Sequence, residues 1–424
     1  MLRNAMEPVP KRTPIARLLR ALARVAYRHA QSGRDLLLAA AAFGHNPPKF
    51  NQCLNRLECR YGRSRLWSYP PVVGFALSNY CNQRCRFCSL DMKYVTRRVV
   101  LPADLFEKMT WLRYVREIWL SGAAGDSLVH PEFARIVRAV RRTAPKSRLM
   151  VCTNGLGLHG ENLEATEHLD YLNVSANAAS EPTYAALIHG GSFRRLLANL
   201  EALAERKRPS LAVHLSMVLA RSAVPDVKPM IDLAARLKFD AVEVYRYFPI
   251  PPVEGALPLS EATHDEPDLW RAVRQLSEYA REKGVGYIVA GEQLAPCRSL
   301  NTAVTYPGAG GCCSPWSNGH ISIGPDGEKA FSICCSGVSL NLAVDDAALV
   351  DFRKVWNSPR MQEVRRTVNA DDERQNNMCW LCRRLERADY GSKSHLRELA
   401  GRKRPSIAFT ASDDPIAFPL SRVA

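Results

Sequence analysis

Three cysteines lie within eight residues of this chain, at Cys81, Cys85 and Cys88. The apolar run at residues 72–77 predicts a buried strand, so the cysteines are expected on the loop at its carboxyl end. Three thiolates on one short loop can bind three irons of a cubane iron–sulfur cluster and leave the fourth iron open to a small molecule. The alternative is half of a structural zinc site that other cysteines complete, because such a site needs four ligands.

A second group of cysteines lies in the last third of the chain, as the doublets 312–313 and 334–335 and the pair Cys379 and Cys382. Alternating polar and apolar residues before Pro325-Asp326-Gly327 predict a β-hairpin between the doublets. Two cysteines beside a hairpin and one C-x2-C pair supply four thiolates, which is enough for one further cubane cluster. A zinc ribbon uses the same arrangement and is the alternative.

Small and polar residues follow three further predicted strands. Gly125 and Asp126 follow the second strand, Asn154 the third and Ser175 the fourth. A glycine lets the backbone approach a ligand closely, and a carboxylate offers an acceptor to an ammonium group. The chemistry of parallel barrels lies at the carboxyl ends of the strands, which is where these residues are expected.

The order of these motifs resembles the radical S-adenosylmethionine (SAM) superfamily. The resemblance implies a 4Fe-4S cluster on the first three cysteines, with its open iron chelated by the amino and carboxylate groups of SAM. It implies SAM contacts for a glycine-rich element with a His-Pro continuation, for an Asn-Gly turn, for a strand-end serine and for an aromatic residue between two cysteines. These residues are Phe87, Gly125, Asp126, Asn154 and Ser175. A glutamate is usual in that family where this chain has the aspartate.

The C-terminal cysteine order resembles the extensions called SPASM or twitch domains, which bind auxiliary iron–sulfur clusters. Matching the first cysteine of each doublet to that pattern implies a second, auxiliary 4Fe-4S cluster on Cys312, Cys334, Cys379 and Cys382. Cys313 and Cys335 are the alternatives within the doublets.

Short apolar strands alternate with amphipathic helices over residues 67–290, which is typical of parallel βα units. Six strands are predicted, at residues 72–78, 117–121, 147–152, 171–175, 211–219 and 241–247. Six units are too few for a closed eight-stranded barrel, so the predicted α/β fold is a partial (β/α)6 TIM-like barrel. The flanking regions are predicted to be a basic helical extension, a small cysteine-rich α+β domain of the twitch or SPASM kind and a flexible tail, at residues 1–66, 291–395 and 396–424.

The positive charge is concentrated at the N-terminus. The chain carries a formal charge of +16, of which residues 1–66 contribute +10, from 13 Lys and Arg against 3 Asp and Glu. The folded core is therefore only mildly basic, and no nucleic-acid partner is expected. The extension is predicted either to touch an anionic membrane surface or a partner, or to pack on the barrel with a solvated basic face. Within it, Asn46-Pro47-Pro48 is interpreted as the end of a helix.

Cysteine clustering of this kind is typical of a reducing compartment, and the sequence contains no apolar run of 18 residues. The chain is therefore predicted to be cytoplasmic. The resemblance implies an oxidoreductase-type enzyme that receives electrons from a donor such as flavodoxin or ferredoxin and cleaves SAM to a 5′-deoxyadenosyl radical.

Oxidation or epimerisation of a small polar metabolite or carbohydrate is the first expectation, with the auxiliary cluster as electron carrier. Maturation of a ribosomal peptide is the alternative. Cys152 and Cys297 are the candidate hydrogen donors for an epimerase. A metal-stabilised nucleic-acid-binding module is the alternative outside the enzymes.

Overall fold

The computed structural model describes residues 46–88, 95–121, 125–247, 256–263, 266–290, 313–333 and 342–368. Its main sheet contains β1 (Val72–Phe75), β2 (Glu117–Leu120), β3 (Arg148–Thr153), β4 (Tyr171–Ser175), β5 (Ala212–Leu219), β6 (Ala241–Arg246), β7 (Gly286–Ala290), β8 (Asn318–Ile323), β9 (Lys329–Ser332) and β10 (Leu342–Ala343). The described α-helices are α1 (Pro47–Arg60), α2 (Ala103–Lys108), α3 (Phe133–Thr143), α4 (Gly160–Ala165), α5 (Glu181–Leu187), α6 (Phe193–Arg206), α7 (Val227–Arg236), α8 (Pro267–Glu282), α9 (Ser314–Ser317), α10 (Asp346–Val350), α11 (Phe352–Trp356) and α12 (Pro359–Thr367).

The strands lie in the order β10-β9-β8-β1-β2-β3-β4-β5-β6-β7, and the sheet is not closed into a barrel. The seven strands β1 to β7 are parallel to their neighbours. The hairpin formed by β8 and β9 joins the other edge, where β8 runs parallel to β1. The predicted open α/β fold and the predicted hairpin are confirmed.

Two features of the sheet differ from the sequence prediction. Strand β7 is a seventh parallel strand. It was not predicted because Gly284 and Gly286, which lie just before it and at its first position, indicate a loop. The sheet also crosses residue 290, where the sequence places a domain boundary, because the hairpin pairs with β1. The proposed domain limits remain predictions.

The two faces of β4, β5 and β6 have opposite character. The outer face carries aliphatic side chains that are fully buried and belong to the main core: Leu172, Val174, Val213, Leu215, Val242 and Val244. The inner face carries polar side chains: Tyr171, Asn173, Ser175, His214, Ser216, Glu243 and Tyr245. A parallel sheet whose faces are covered only by packed helices is apolar on both faces. The polar side chains on this inner face therefore indicate a binding site.

Helix α1 begins where the sequence analysis placed only a helix end. The side chain of Asn46 accepts a hydrogen bond from the backbone N–H of Lys49 at 3.1 Å, which caps the helix, and Pro47 and Pro48 occupy its first positions. Proline is tolerated there because the first N–H groups of a helix have no partner inside it. Residues 1–45 lie outside the described part of the chain.

The C-terminal helices pack against the segment that enters β1. The ring of Phe352 stacks on Trp111 at 4.3 Å between centroids. The indole Nε1–H of Trp356 donates to the carbonyl of Ser68 at 3.0 Å, and the Nη1 group of Arg365 donates to the carbonyl of Ser64 at 2.7 Å. None of the helices in the described ranges is long and apolar enough to cross a membrane.

Candidate functional site

The cysteine loop follows β1 and is fixed along one side. Arg84–Cys85 pairs in antiparallel fashion with Ile188–His189 at the end of α5. The side-chain amide of Gln83 donates to the hydroxyl of Tyr184 at 2.6 Å. A Cβ atom at Gly191 would lie 2.5 Å from that hydroxyl, so glycine is required there. The Gly190–Gly191 turn, which the sequence indicates as the entry to α6, therefore also packs against the cysteine loop.

Gly125 lies directly against the backbone that leads into Cys81. Its φ angle is +81°, and a Cβ atom there would lie 2.7 Å from the carbonyl oxygens of both Ser78 and Tyr80. A side chain at this position is excluded both by the backbone conformation and by the close approach. The predicted glycine element thus lies beside the cysteine loop.

Asp126 joins the loop after β2 to the end of β3. Its Oδ1 accepts the backbone N–H of Leu128 at 2.9 Å, and its Oδ2 accepts that of Asn154 at 2.6 Å. The hydroxyl of Thr153 lies 3.1 Å from Oδ1 and 2.9 Å from Oδ2. Burial raises the pKa of this carboxyl group, and the three donors oppose that rise. Both oxygens are occupied by protein donors, so the geometry gives the carboxylate a positioning role.

Asn154 extends this connection to the cysteines. Its side-chain Nδ2 donates to Asn82 Oδ1 at 2.7 Å and lies 3.6 Å from the Sγ atom of Cys81. The backbone N–H of Gln83 lies 3.4 Å from the same sulfur. The structure therefore brings together Cys81, Asp126 and Asn154, which the sequence places on three separate strand ends.

The environment of the thiols suits a bound cluster. Burial, with a contribution from the Asp126 carboxylate, raises the pKa of Cys81 to about 11. Burial and the neighbouring Cys88 and Cys81 thiolates raise the pKa of Cys85. Such thiols ionise only when a bound metal supplies the compensating charge.

A cluster and a single metal ion require different spacings of their ligands. Within the described ranges, no three Cys, His, Asp or Glu side chains form a group that could hold one metal ion. A cubane does not require such convergence, because each of its irons takes a single thiolate. The three thiolates of the loop can therefore each bind one iron of a cluster without converging on a single point.

Ser175 and Cys152 lie side by side on the inner face of the sheet. The sulfur of Cys152 is 3.7 Å from the Oγ atom of Ser175, which lies 3.3 Å from the Oγ atom of Ser216. Burial raises the pKa of Cys152 to about 11, so its thiol remains protonated at neutral pH. Phe87 is half-buried and packs against the main core.

A polar network deeper on the inner face was not identified from the sequence. The hydroxyl of Tyr171 donates to Glu243 Oε1 at 2.7 Å, and His214 Nδ1 lies 2.5 Å from the same oxygen. The hydroxyl of Tyr245 donates to Glu243 Oε2. The available signal was the placement of polar residues at alternate positions of strands that are otherwise aliphatic.

The two residues after Tyr245 make contacts outside this network. The guanidinium of Arg246 lies over the ring of Trp270 at 5.0 Å, and the Tyr247 hydroxyl donates to the carbonyl of Leu257 at 3.3 Å. Cys313 is half-buried and packs against Val72. The other predicted cysteines of the C-terminal half lie outside the described residues: Cys297, Cys312, Cys334, Cys335, Cys379 and Cys382.

The fold and site together define an α/β protein with a three-cysteine loop at the carboxyl edge of its parallel strands. Residues 75–234 match the family described as the Radical SAM superfamily. This segment is a radical SAM domain, and the sequence-based recognition of the superfamily is confirmed. Members of the superfamily use a 4Fe-4S cluster and SAM.

Two curated proteins show the extent of the sequence similarity. A PqqA peptide cyclase from Methylobacterium sp. (strain 4-46) is 27% identical over 351 residues, which cover 78% of this chain and 84% of that protein. A GTP 3′,8-cyclase from Paenarthrobacter nicotinovorans is 27% identical over 151 residues. The aligned segment is 34% of this chain and only 40% of the GTP cyclase.

Solved structures of Streptococcus suis SuiB share the fold. SuiB bound to S-adenosylmethionine aligns with a TM-score of 0.57 at 14% identity, over 85% of this chain and 82% of SuiB. SuiB bound to the precursor peptide SuiA aligns with a TM-score of 0.54 at 16% identity, over 75% of this chain and 71% of SuiB. The alignment over 85% of this chain extends beyond residues 75–234, which the superfamily model matches.

Proposed function

We propose that this chain is a radical SAM enzyme that forms a new bond within a peptide by oxidative coupling. The observation that carries the proposal is the similarity to a PqqA peptide cyclase, which covers 78% of this chain and 84% of that relative. The match to the GTP cyclase covers only 34% of this chain, so it reports on the shared core alone. These comparisons favour the peptide alternative over the small metabolite or carbohydrate that the sequence analysis expected first.

The inner face of the sheet suits a peptide substrate. Its side chains offer hydroxyl, amide, imidazole and carboxylate groups, which can pair with backbone amides. The SuiB fold, which this chain shares, has been captured with a precursor peptide. A peptide can therefore be bound by a protein of this architecture.

In this proposal Cys81, Cys85 and Cys88 bind the 4Fe-4S cluster. When bound, the cluster and SAM supply the 5′-deoxyadenosyl radical that removes a hydrogen atom from a substrate C–H bond. The residues proposed to line the SAM pocket are Phe87, Gly125, Asp126, Asn154 and Ser175. Asp126 orients the backbone N–H and the side chain of Asn154, which in turn fixes the cysteine loop through Asn82.

The remaining partners are proposed on the resemblance. Cys312, Cys334, Cys379 and Cys382 bind the auxiliary cluster, with Cys313 or Cys335 as alternatives within the doublets. A flavodoxin or ferredoxin supplies the electron for SAM cleavage. The oxidoreductase-type chemistry belongs to the proposal, because oxidative coupling removes two hydrogens from the substrate.

The proposal is tested by tracing which substrate class loses hydrogen to SAM. Reconstituted enzyme, SAM and dithionite are incubated with the peptide fraction or the small-metabolite fraction of source cells grown in D2O. Labelled peptides are expected to transfer deuterium into 5′-deoxyadenosine, and the same peptides without label are expected to lose the mass of two hydrogens. Deuterium transfer from the metabolite fraction alone would contradict the proposal.

Epimerisation of a peptide residue is the second candidate, and the protonated thiol of Cys152 on the inner face favours it. The carbon radical would take a hydrogen atom from Cys152, and an electron and a proton would restore the thiol. In that case Cys152→Ala abolishes product, the product carries solvent deuterium in D2O, and its mass is otherwise unchanged. A product lighter by two hydrogens would refute epimerisation.

A further inference from the structure

Glu243 and His214 form a hydrogen-bonded pair on neighbouring strands of the inner face. Their Oε1 and Nδ1 atoms lie 2.5 Å apart, and the side chains are 2% and 16% exposed respectively. Tyr171 and Tyr245 donate their hydroxyls to the two oxygens of the same carboxylate. Burial opposes ionisation of Glu243, but the hydrogen bonds from His214, Tyr245 and Tyr171 outweigh it and lower its pKa.

An ionised carboxylate at Nδ1 selects one form of the imidazole. Carboxylate oxygens only accept, so His214 Nδ1 carries the proton that it donates to Glu243. In the neutral ring Nε2 is then left with its lone pair. Within the described part of the chain, the contacts of this imidazole are made by Nδ1 and by the ring face against Tyr171, and no hydrogen bond reaches Nε2.

The pair is connected to the proposed SAM site. Ser175 Oγ lies 3.3 Å from Ser216 Oγ, which donates to Asn173 Oδ1 at 2.5 Å. The Asn173 amide then reaches the hydroxyl of Tyr171 at 3.3 Å. The base and the SAM-facing residues therefore lie on one continuous inner surface, where a substrate could contact both.

We propose that His214 Nε2 is the proton acceptor of the coupling reaction, with Glu243 and Tyr171 as its positioning residues. The inference rests on the proposed function, because oxidative coupling releases a proton. One substrate hydrogen leaves as an atom to the 5′-deoxyadenosyl radical, and the new bond forms. The second hydrogen leaves as a proton to Nε2, and one electron passes to a one-electron acceptor of the iron–sulfur class.

This order of steps makes a specific prediction for variants, because hydrogen abstraction precedes proton transfer. The His214→Gln variant should still form 5′-deoxyadenosine that carries deuterium from the substrate. The amount of coupled product should fall by about 100-fold or more. Glu243→Ala, which removes the acceptor at Nδ1, should lower product and leave iron content unchanged. Tyr171→Phe should also lower product. Its matched control is Tyr279→Phe, which should leave product unchanged, because the Tyr279 hydroxyl donates to a carboxylate, Asp232, on the outer helices.

The experiment measures 5′-deoxyadenosine and peptide product, together with 15N NMR of histidine-labelled resting enzyme. The His214 signals are assigned by their loss in His214→Gln. A proton on Nδ1, together with 5′-deoxyadenosine that forms in His214→Gln without the matching amount of product, would support the inference. A proton on Nε2, or an unchanged ratio of product to 5′-deoxyadenosine in His214→Gln, would overturn it.

The two proposals fail in different ways. If the wild type transfers no deuterium from peptides, the proposed function fails, and the NMR measurement still decides the form of the imidazole. If a variant loses both iron and 5′-deoxyadenosine, its product no longer reports on proton transfer. The NMR measurement on the wild type then decides which nitrogen of His214 carries the proton. If the wild type couples peptides and His214→Gln does so equally well, only the role of His214 is refuted.

Discussion

Asp126 and Asp226 are two buried aspartates with the same set of donors in different geometry. Both are 5% exposed, and each accepts two backbone N–H groups and one hydroxyl. Asp126 receives the two N–H groups on different oxygens, whereas Asp226 receives both, from Ala179 and Ser180, on Oδ2. Asparagine has only one side-chain oxygen, so the two sites should respond differently to the same substitution.

The magnitude follows from the bonds that each variant can keep. Both Asp→Asn changes lose the charge of the acceptor. Asp226→Asn keeps both N–H bonds on its remaining oxygen, and its NH2 group can donate to the Ser180 hydroxyl. Asp126→Asn leaves one buried N–H without an acceptor, which costs about 1–3 kcal/mol more in the free energy of unfolding. The measurement is the urea unfolding midpoint of both variants in the apo protein.

The second readout is iron retention after reconstitution and gel filtration. Asp126→Ala and Asp226→Ala each remove every bond of the carboxylate, so both should be destabilised. Only the Asp126 variant should lose iron, because only Asp126 is linked to Asn154 and the cysteine loop. Equal destabilisation by the two Asp→Asn changes, or full iron content in Asp126→Ala, would refute this reasoning.

Two further predictions concern a glycine and the buried glutamate. Gly125→Ala should prevent cluster binding because its Cβ would meet two carbonyl oxygens at 2.7 Å. The control is Gly284→Ala, where φ is +72° and no atom lies within 4 Å of the added Cβ, so only stability should fall. Iron content and urea midpoints distinguish the two outcomes. Glu243 has a lowered pKa in the folded state, so it stabilises the protein above its ordinary pKa of about 4.3 and loses that contribution as the pH falls. Glu243→Gln should therefore lower the urea midpoint more at neutral pH than at acid pH, and a pH-independent difference would contradict this.

The site residues at the strand ends could be predicted because each of them directly follows its own strand in the sequence. Parallel βα units place the residues that follow each strand at one edge of the sheet, so Cys81, Gly125 and Asn154 were expected together and are found together. The hairpin was predicted from its alternation and its Pro-Asp-Gly turn. Its pairing with β1 could not be predicted, because a hairpin sequence does not specify which sheet edge it joins.

The roles of individual polar groups were less accessible from the sequence. Asp126 reads as an acceptor for a ligand, yet its oxygens are occupied by Thr153 and by two backbone amides. His214 and Glu243 are 29 residues apart, and only the register of their strands brings them into contact. Register depends on the packing of the whole sheet, so such a pair becomes visible only in three dimensions.

The central claim is tested most directly by anaerobic reconstitution of the wild type and of the Cys81/Cys85/Cys88→Ala variant. Iron, sulfide and zinc are counted per chain, and 5′-deoxyadenosine is assayed with SAM and dithionite. We expect about eight irons in the wild type and about four in the variant, with 5′-deoxyadenosine formed only by the wild type. Bound zinc in both proteins, with no 5′-deoxyadenosine from either, would contradict it.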